Sequence, residues 1–73
     1  MSSDAQQIAI VVNGEPRAVA RGQSLTDFLV DLDFHPQAVA VEYNGEIIKR
    51  ARFGETCLEE GDRLEIVRFV QGG

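Results

Sequence analysis

Apolar residues come in short blocks along this chain, and their spacing switches from strand-like to helical only once. Ile8-Ala-Ile-Val-Val12 is a brief run rich in β-branched residues, the length of a strand. Asn13-Gly14 follows, the pair a type I′ hairpin turn prefers because both central positions need φ > 0. Pro16-Arg-Ala-Val-Ala-Arg21 then reads as the returning strand, and its proline and flanking arginines suit a sheet edge. Gly22-Gln23 breaks the pattern before Ser24, a good N-cap, with Asp27 three residues on to satisfy the free amides of a helix start. Leu25, Phe28, Leu29 and Leu32 fall at i, i+3, i+4 and i+7, one apolar helical face, with Asp27 and Asp31 pointing away from it. Pro36 forbids continuation, so the helix should stop near Asp33.

Strand period then resumes. Ala38–Tyr43 sets Val39, Val41 and Tyr43 on one face, and Asn44-Gly45 signals a second hairpin into Glu46–Lys49. Arg50–Glu55 looks irregular, with room for one helical turn, and Thr56-Cys-Leu58 is a brief extended piece. Glu59-Glu-Gly-Asp62 makes a tight turn before the closing strand Arg63–Val70. The order is hairpin, helix, hairpin, excursion, final strand, an α+β pattern with one helix to cover one sheet face. The first and last strands are the most continuously apolar and belong at the sheet centre. Pairing them in parallel needs a crossover, which the helix supplies. The expected fold is therefore a β-grasp, or ubiquitin-like, domain: a mixed sheet of four or five strands on one main helix. Its bounds are residues 8–70, after a polar, disordered segment 1–7 and before a flexible tail 71–73.

In the last strand Leu64 and Ile66 point inward, while Val67 and Phe69 share the outer face with Glu65. Val67 and Phe69, with Ile47 or Val11 near them, are expected to form an apolar patch that marks a partner surface. An irregularity that turned Phe69 inward would remove it.

Composition narrows the function. Seventy-three residues allow one domain with a small core. A single cysteine, Cys57, excludes an internal disulfide, and one histidine, His35, gives no metal cluster, so no bound metal or cofactor is expected. A reducing cytoplasm fits, and no export signal or membrane-length apolar run is present. A net charge of −5 opposes nucleic-acid binding and suits basic faces of protein partners, with simple solubility as the plainer account. Cys57 reads as a buried structural thiol, His35 as a helix-end or capping residue, and Glu59-Glu60 as solvated. The glycines are scattered among turns and form no phosphate loop. The chain has no nucleophile–base pair of its own.

What remains is the end, Gln71-Gly72-Gly73. At about 7 % glycine, a pair arises there by chance in roughly 0.5 % of chains. A frayed end is the simple reading; the sharper one makes the Gly73 carboxylate the reactive group. An α-carboxyl ionises near pH ~3.5, so at neutral pH it can attack the α-phosphate of ATP without a general base. The resulting acyl-adenylate is open to a sulfur nucleophile. Two glycines thread a narrow channel, and an extended Gln71–Gly73 reaches roughly 10 Å.

Tyr43-Asn-Gly-Glu-Ile-Ile48 with Arg50, then Leu58-x-x-Gly61-Asp62, Glu65-Ile-Val-Arg-Phe-Val70 and the terminal glycines, resemble the thiamine-biosynthesis sulfur carrier proteins. Asn13-Gly-Glu-Pro16 and Ser24-Leu-Thr-Asp-Phe-Leu29 agree, so the resemblance spans residues 8–73. It implies a carrier that is not itself an enzyme. An E1-like adenylyltransferase would consume ATP to adenylate Gly73. A persulfide derived from a cysteine desulfurase would convert it to a thiocarboxylate, and thiazole synthase would take the sulfur. Gly72 and Gln71 would give access, and Val67, Arg68, Phe69 and Val70 would lie in or near the partner contact. Lys49 stands where such carriers often have proline, and Gln71 where a third glycine or small residue is common. The small subunit of molybdopterin synthase, a carrier for another sulfur pathway such as tRNA thiolation, and an unmodified β-grasp binding module are the alternatives. A thiol enzyme using Cys57 is disfavoured by the isolation of that residue.

Overall fold

A computed structural model describes residues 6–69. Strand β1 (Gln7–Val12) turns at Asn13-Gly14 into β2 (Glu15–Ala20), pairing antiparallel with Ile8 opposite Val19 and Ile10 opposite Arg17. Both turn residues have positive φ, 51° and 82°, as the sequence predicts for a type I′ turn. Helix α1 (Leu25–Asp31) starts at Ser24, whose Oγ accepts from the Asp27 amide at 3.1 Å. Leu32 caps it, and Asp33 takes φ 70°, which ends the helix before Pro36 is reached. Pro36–Ala38 forms a short 3₁₀ turn, capped by His35 through Nδ1, which accepts from the Gln37 amide at 3.3 Å. β3 (Val39–Tyr43) and β4 (Glu46–Ile48) form the second hairpin around Asn44 and Gly45, with φ 52° and 90°. Arg50–Glu55 is 3₁₀, and β5 (Arg63–Arg68) closes the fold.

The sheet order is β2-β1-β5-β3-β4, so the last strand is the middle one. β5 pairs parallel with β1 and antiparallel with β3. The crossover through α1 supplies the return that parallel pairing requires. Ile8, Ile10, Val12, Leu64, Ile66, Val39 and Val41 face the helix and close the core against Leu25, Phe28, Leu29, Phe53 and Leu58. The segment around Cys57 is tied to the helix start: Leu25 N donates to Thr56 O and Leu58 N to Gln23 O, at 2.8 and 2.9 Å.

One expectation is overturned here. Cys57 is exposed, whereas Leu58 beside it is 2 % exposed. Extended backbone sends adjacent side chains to opposite sides, and in this two-residue stretch the leucine takes the core.

Candidate functional site

The outer face of the sheet is left bare by the single helix, and β5 sends Glu65 and Val67 onto it, with Phe69 one residue past its end. Val67 is 58 % and Phe69 45 % exposed, and Ile47 on β4 is 75 % exposed. Val11 is half-buried. Ala40 sits opposite Val67 across the β3–β5 ladder. A shallow cleft of about 180 Å³ runs between them, lined by Ala40, Val41, Glu42, Ile47, Glu65 and Val67. Val67 and Ile47 thus form an outward apolar patch of the kind expected from strand alternation, and Phe69, one residue past β5, is exposed.

Arg68 goes the other way. It shares the inward side of β5 with Leu64 and Ile66, and its guanidinium lies 4.8 Å from the Phe34 ring centroid. Phe34 is half-buried against the core. Of the four residues placed near a partner by resemblance, Val67 lines the outer cleft, Phe69 is exposed just past the end of β5, and Arg68 is set on the helix side. Val70, Gln71, Gly72 and Gly73 lie outside the described residues, as do residues 1–5 of the segment expected to be disordered. Its last residue, Gln7, already belongs to β1, and Gln6 O accepts from the Arg21 amide.

The root of the tail is firmly built. Phe69 N donates to Ala38 O at 2.8 Å, carrying the β3–β5 ladder one residue past β5. On the other side of β5, the Asn13 side chain acts as a substitute backbone: Ile66 N donates to Asn13 Oδ1 at 2.8 Å and Asn13 Nδ2 to Ile66 O at 3.3 Å. This continues the β1–β5 pairing beyond the point where β1 has already turned away.

The start of β5 is fixed by a buried carboxylate. Asp62 is 7 % exposed and accepts from Tyr43 Oη at 2.6 Å, Asn44 Nδ2 at 3.2 Å and the Glu59 amide at 2.8 Å. Asn44 also accepts from the Arg63 amide through Oδ1 at 2.8 Å. Burial, and then the bond to the Asp62 carboxylate and its charge, hold the Tyr43 phenol un-ionised well above its usual range. Glu60, exposed as expected, also accepts from the Ala9 amide at 3.0 Å and ties the same turn to β1. Sequence reasoning missed these roles of Asn13, Asn44, Glu60 and Asp62; the Asn-Gly pairs announce a backbone conformation, not the long-range partner of the side chain.

Among the described residues no cluster of His, Cys, Asp and Glu is placed to hold a metal, and no helix is long and apolar enough to cross a membrane. Cys57 stands with Arg21, Glu59 and Glu60 around it and no histidine. What the described domain offers is a central strand hydrogen-bonded on both sides, as far as Phe69 on the β3 side, and an uncovered sheet face beside it on which Ile47 and Val67 are exposed.

A five-stranded mixed sheet with its last strand central, grasping one helix, is a β-grasp domain of the ubiquitin-like class. The chain belongs to the ThiS family, a family of small sulfur carriers, whose model matches residues 7–73. It is similar to the sulfur carrier protein ThiS of Thermus thermophilus, 34 % identical over 85 % of this chain and 95 % of that protein. A solved structure of the thiamine biosynthesis protein ThiS from Geobacter metallireducens superposes with a TM-score of 0.78 at 35 % identity, covering 90 % of this chain and all of that one. A thiazole synthase of Magnetococcus marinus is 41 % identical over 88 % of this chain, which spans about a fifth (20 %) of that relative's length.

Proposed function

We propose that this protein carries sulfur as a C-terminal thiocarboxylate on Gly73, destined for the thiazole ring of thiamine. The observation that carries the reading is the family match running through residue 73, so that it includes the glycine pair. The uncovered sheet face beside the strand that leads to those glycines supports it. Four residues beyond Phe69 span at most about 14 Å, enough for Gly73 to enter a pocket while Val67 and Phe69 stay at its rim.

The chemistry asks little of the domain itself. The ionised Gly73 carboxylate attacks the α-phosphate of ATP in an E1-like adenylyltransferase, forming the acyl-adenylate and releasing pyrophosphate. The terminal sulfur of a persulfide, supplied through a cysteine desulfurase, displaces AMP. A second thiol then cleaves the S–S bond, leaving the thiocarboxylate and a disulfide. ATP is consumed in the partner, and the carrier is a protein co-substrate. Thiazole synthase is the acceptor, a reading supported by the relatives of that name in which a segment similar to this chain forms part of the same polypeptide.

The test is intact mass after incubation with ATP, the cognate adenylyltransferase and a persulfide donor. The mass should rise by the replacement of one carboxyl oxygen by sulfur. Deleting Gly73 should abolish the gain and Cys57→Ser should keep it; no gain in the unaltered chain, or the reverse pattern in the variants, refutes the carrier reading.

A further inference from the structure

Two carboxylates face each other across the middle of the sheet. Glu42 of β3 and Glu65 of β5 are register partners in the antiparallel ladder, and both are exposed on the outer face. No salt bridge within the described residues reaches either one, and Arg63, the next outward residue of β5, forms none with them. Like charges directly opposite on one sheet face oppose pairing. A neutral residue at either position would relieve this, so the fold alone gives no reason for the pair. Around the same cleft lie Ile47 and Val67, apolar side chains left in water, and the half-buried Ala40.

The combination describes a complement. A guanidinium is planar, carries donors for two carboxylates at once, and is weakly enough hydrated to sit among apolar side chains. Arginine and apolar side chains are also what the cores of protein interfaces select. The other occupants fit poorly. A second copy would bring four carboxylates together, and a chain of net charge −5 is repelled by nucleic acid and by anionic membranes. Val67 lies two residues before Phe69, close to the end of the described domain, so a protein that fills the cleft is placed to take Gly73. The first to do so in the proposed cycle is the adenylyltransferase.

We propose that Glu42 and Glu65, framed by Ala40, Ile47 and Val67, receive an arginine on the docking face of the adenylyltransferase that takes the tail. The identity of that partner rests on the carrier reading; the chemistry of the contact does not. The repulsion held in the free protein is relieved when the guanidinium arrives, so the pair trades stability of the free domain for recognition.

That trade gives the test its sign. Glu42→Gln and Glu65→Gln, each in the full chain, should raise the Tm of the free protein by about 2–4 °C. Each should weaken binding to the cognate adenylyltransferase, measured by calorimetry, by roughly tenfold, or ~1.4 kcal/mol. Glu15→Gln, the same charge change away from this face, should leave the Kd unaltered. Added salt should weaken the unaltered protein's binding more than that of the double variant. A Kd within twofold of the unaltered protein's in both single variants overturns the proposal, as does a self-associated dimer in sedimentation. Pyrophosphate release is read separately. Binding with the expected pattern but no turnover sinks the carrier reading and leaves the cleft standing; normal turnover with unaffected variants does the opposite.

Discussion

Asp62→Ala tests the claim that one buried carboxylate organises the entrance to the central strand. The substitution removes the acceptor for Tyr43 Oη at 2.6 Å, the Glu59 amide at 2.8 Å and Asn44 Nδ2 at 3.2 Å. Hydrogen bonds to a charged group each contribute about 1.5–3 kcal/mol. The three share one carboxylate, and Tyr43 is only half-buried, so water recovers part of the loss and the contributions do not add. A net cost of about 3 kcal/mol is expected. A domain of this length holds roughly 4–11 kcal/mol in all, so the loss is severe, a fall of about 12–24 °C in Tm. The assay is thermal unfolding followed by far-ultraviolet circular dichroism. The only tyrosine in the chain gives a second readout, phenolate absorbance against pH. Because the folded state keeps the Tyr43 proton beyond the pH at which the unfolded chain releases it, near ~10, this group's contribution to stability is fully present below that pH. It is lost as pH climbs above that point. In Asp62→Ala the phenolate should appear at lower pH than in the unaltered protein. A Tm change under about 4 °C with an unmoved phenol titration would refute the reasoning.

Asn13 separates two effects of one residue. Asn13→Gly keeps the positive φ and loses the clamp on Ile66, costing about 1–2 kcal/mol, and Asn13→Ala adds the left-handed backbone cost of roughly another 1 kcal/mol. Urea unfolding should rank the glycine variant between the other two, and an alanine variant as stable as glycine would contradict this. Leu64→Ala, at 1 % exposure in the central strand, should cost about 3–4 kcal/mol, whereas Val67→Ala should stay within about 0.5 kcal/mol and weaken partner binding. Equal destabilisation would show that the outer face is packed after all. Cys57 should react fully with an aromatic disulfide reagent without denaturant, and Cys57→Ser should leave stability within about 0.5 kcal/mol. A thiol that reacts only on unfolding would restore the buried reading.

Local signals account for what the sequence shows of the fold. The two Asn-Gly pairs, the Ser24 cap and the i, i+3, i+4 stripe each act within a few residues, and each appears where it is read. The central placement of β1 and β5 is legible from their apolar runs, although only one face of β5 is covered: Leu64 and Ile66 are buried while Val67 stays exposed. Cys57 escapes this reasoning because alternation over two residues has no second period to confirm which side is inward. Asp62 and Asn13 escape it because their partners, Tyr43 and Ile66, lie 19 and 53 residues away. The Glu42–Glu65 pair is hidden for the same reason: it exists only once the β3–β5 register is set. Val67 and Phe69 are legible as exposed apolar residues, while the departure of Arg68 toward Phe34 depends on where the loop after α1 comes to rest.

The sheet order has a consequence in time as well as space. β5 occupies the middle, with β1 on one side and β3 on the other, yet it is the last strand to be synthesised. Until residues 63–69 emerge, the two hairpins have no shared neighbour, and Leu64 and Ile66 are missing from the core. Completing the core therefore waits on a long-range closure by β5, the last of the five strands in chain order. The same event that completes the core also assembles the outer cleft, since Glu65 and Val67 arrive with β5. An unfinished chain lacks that cleft, so in the proposed docking mode a partner would meet it only on molecules whose central strand is already in place.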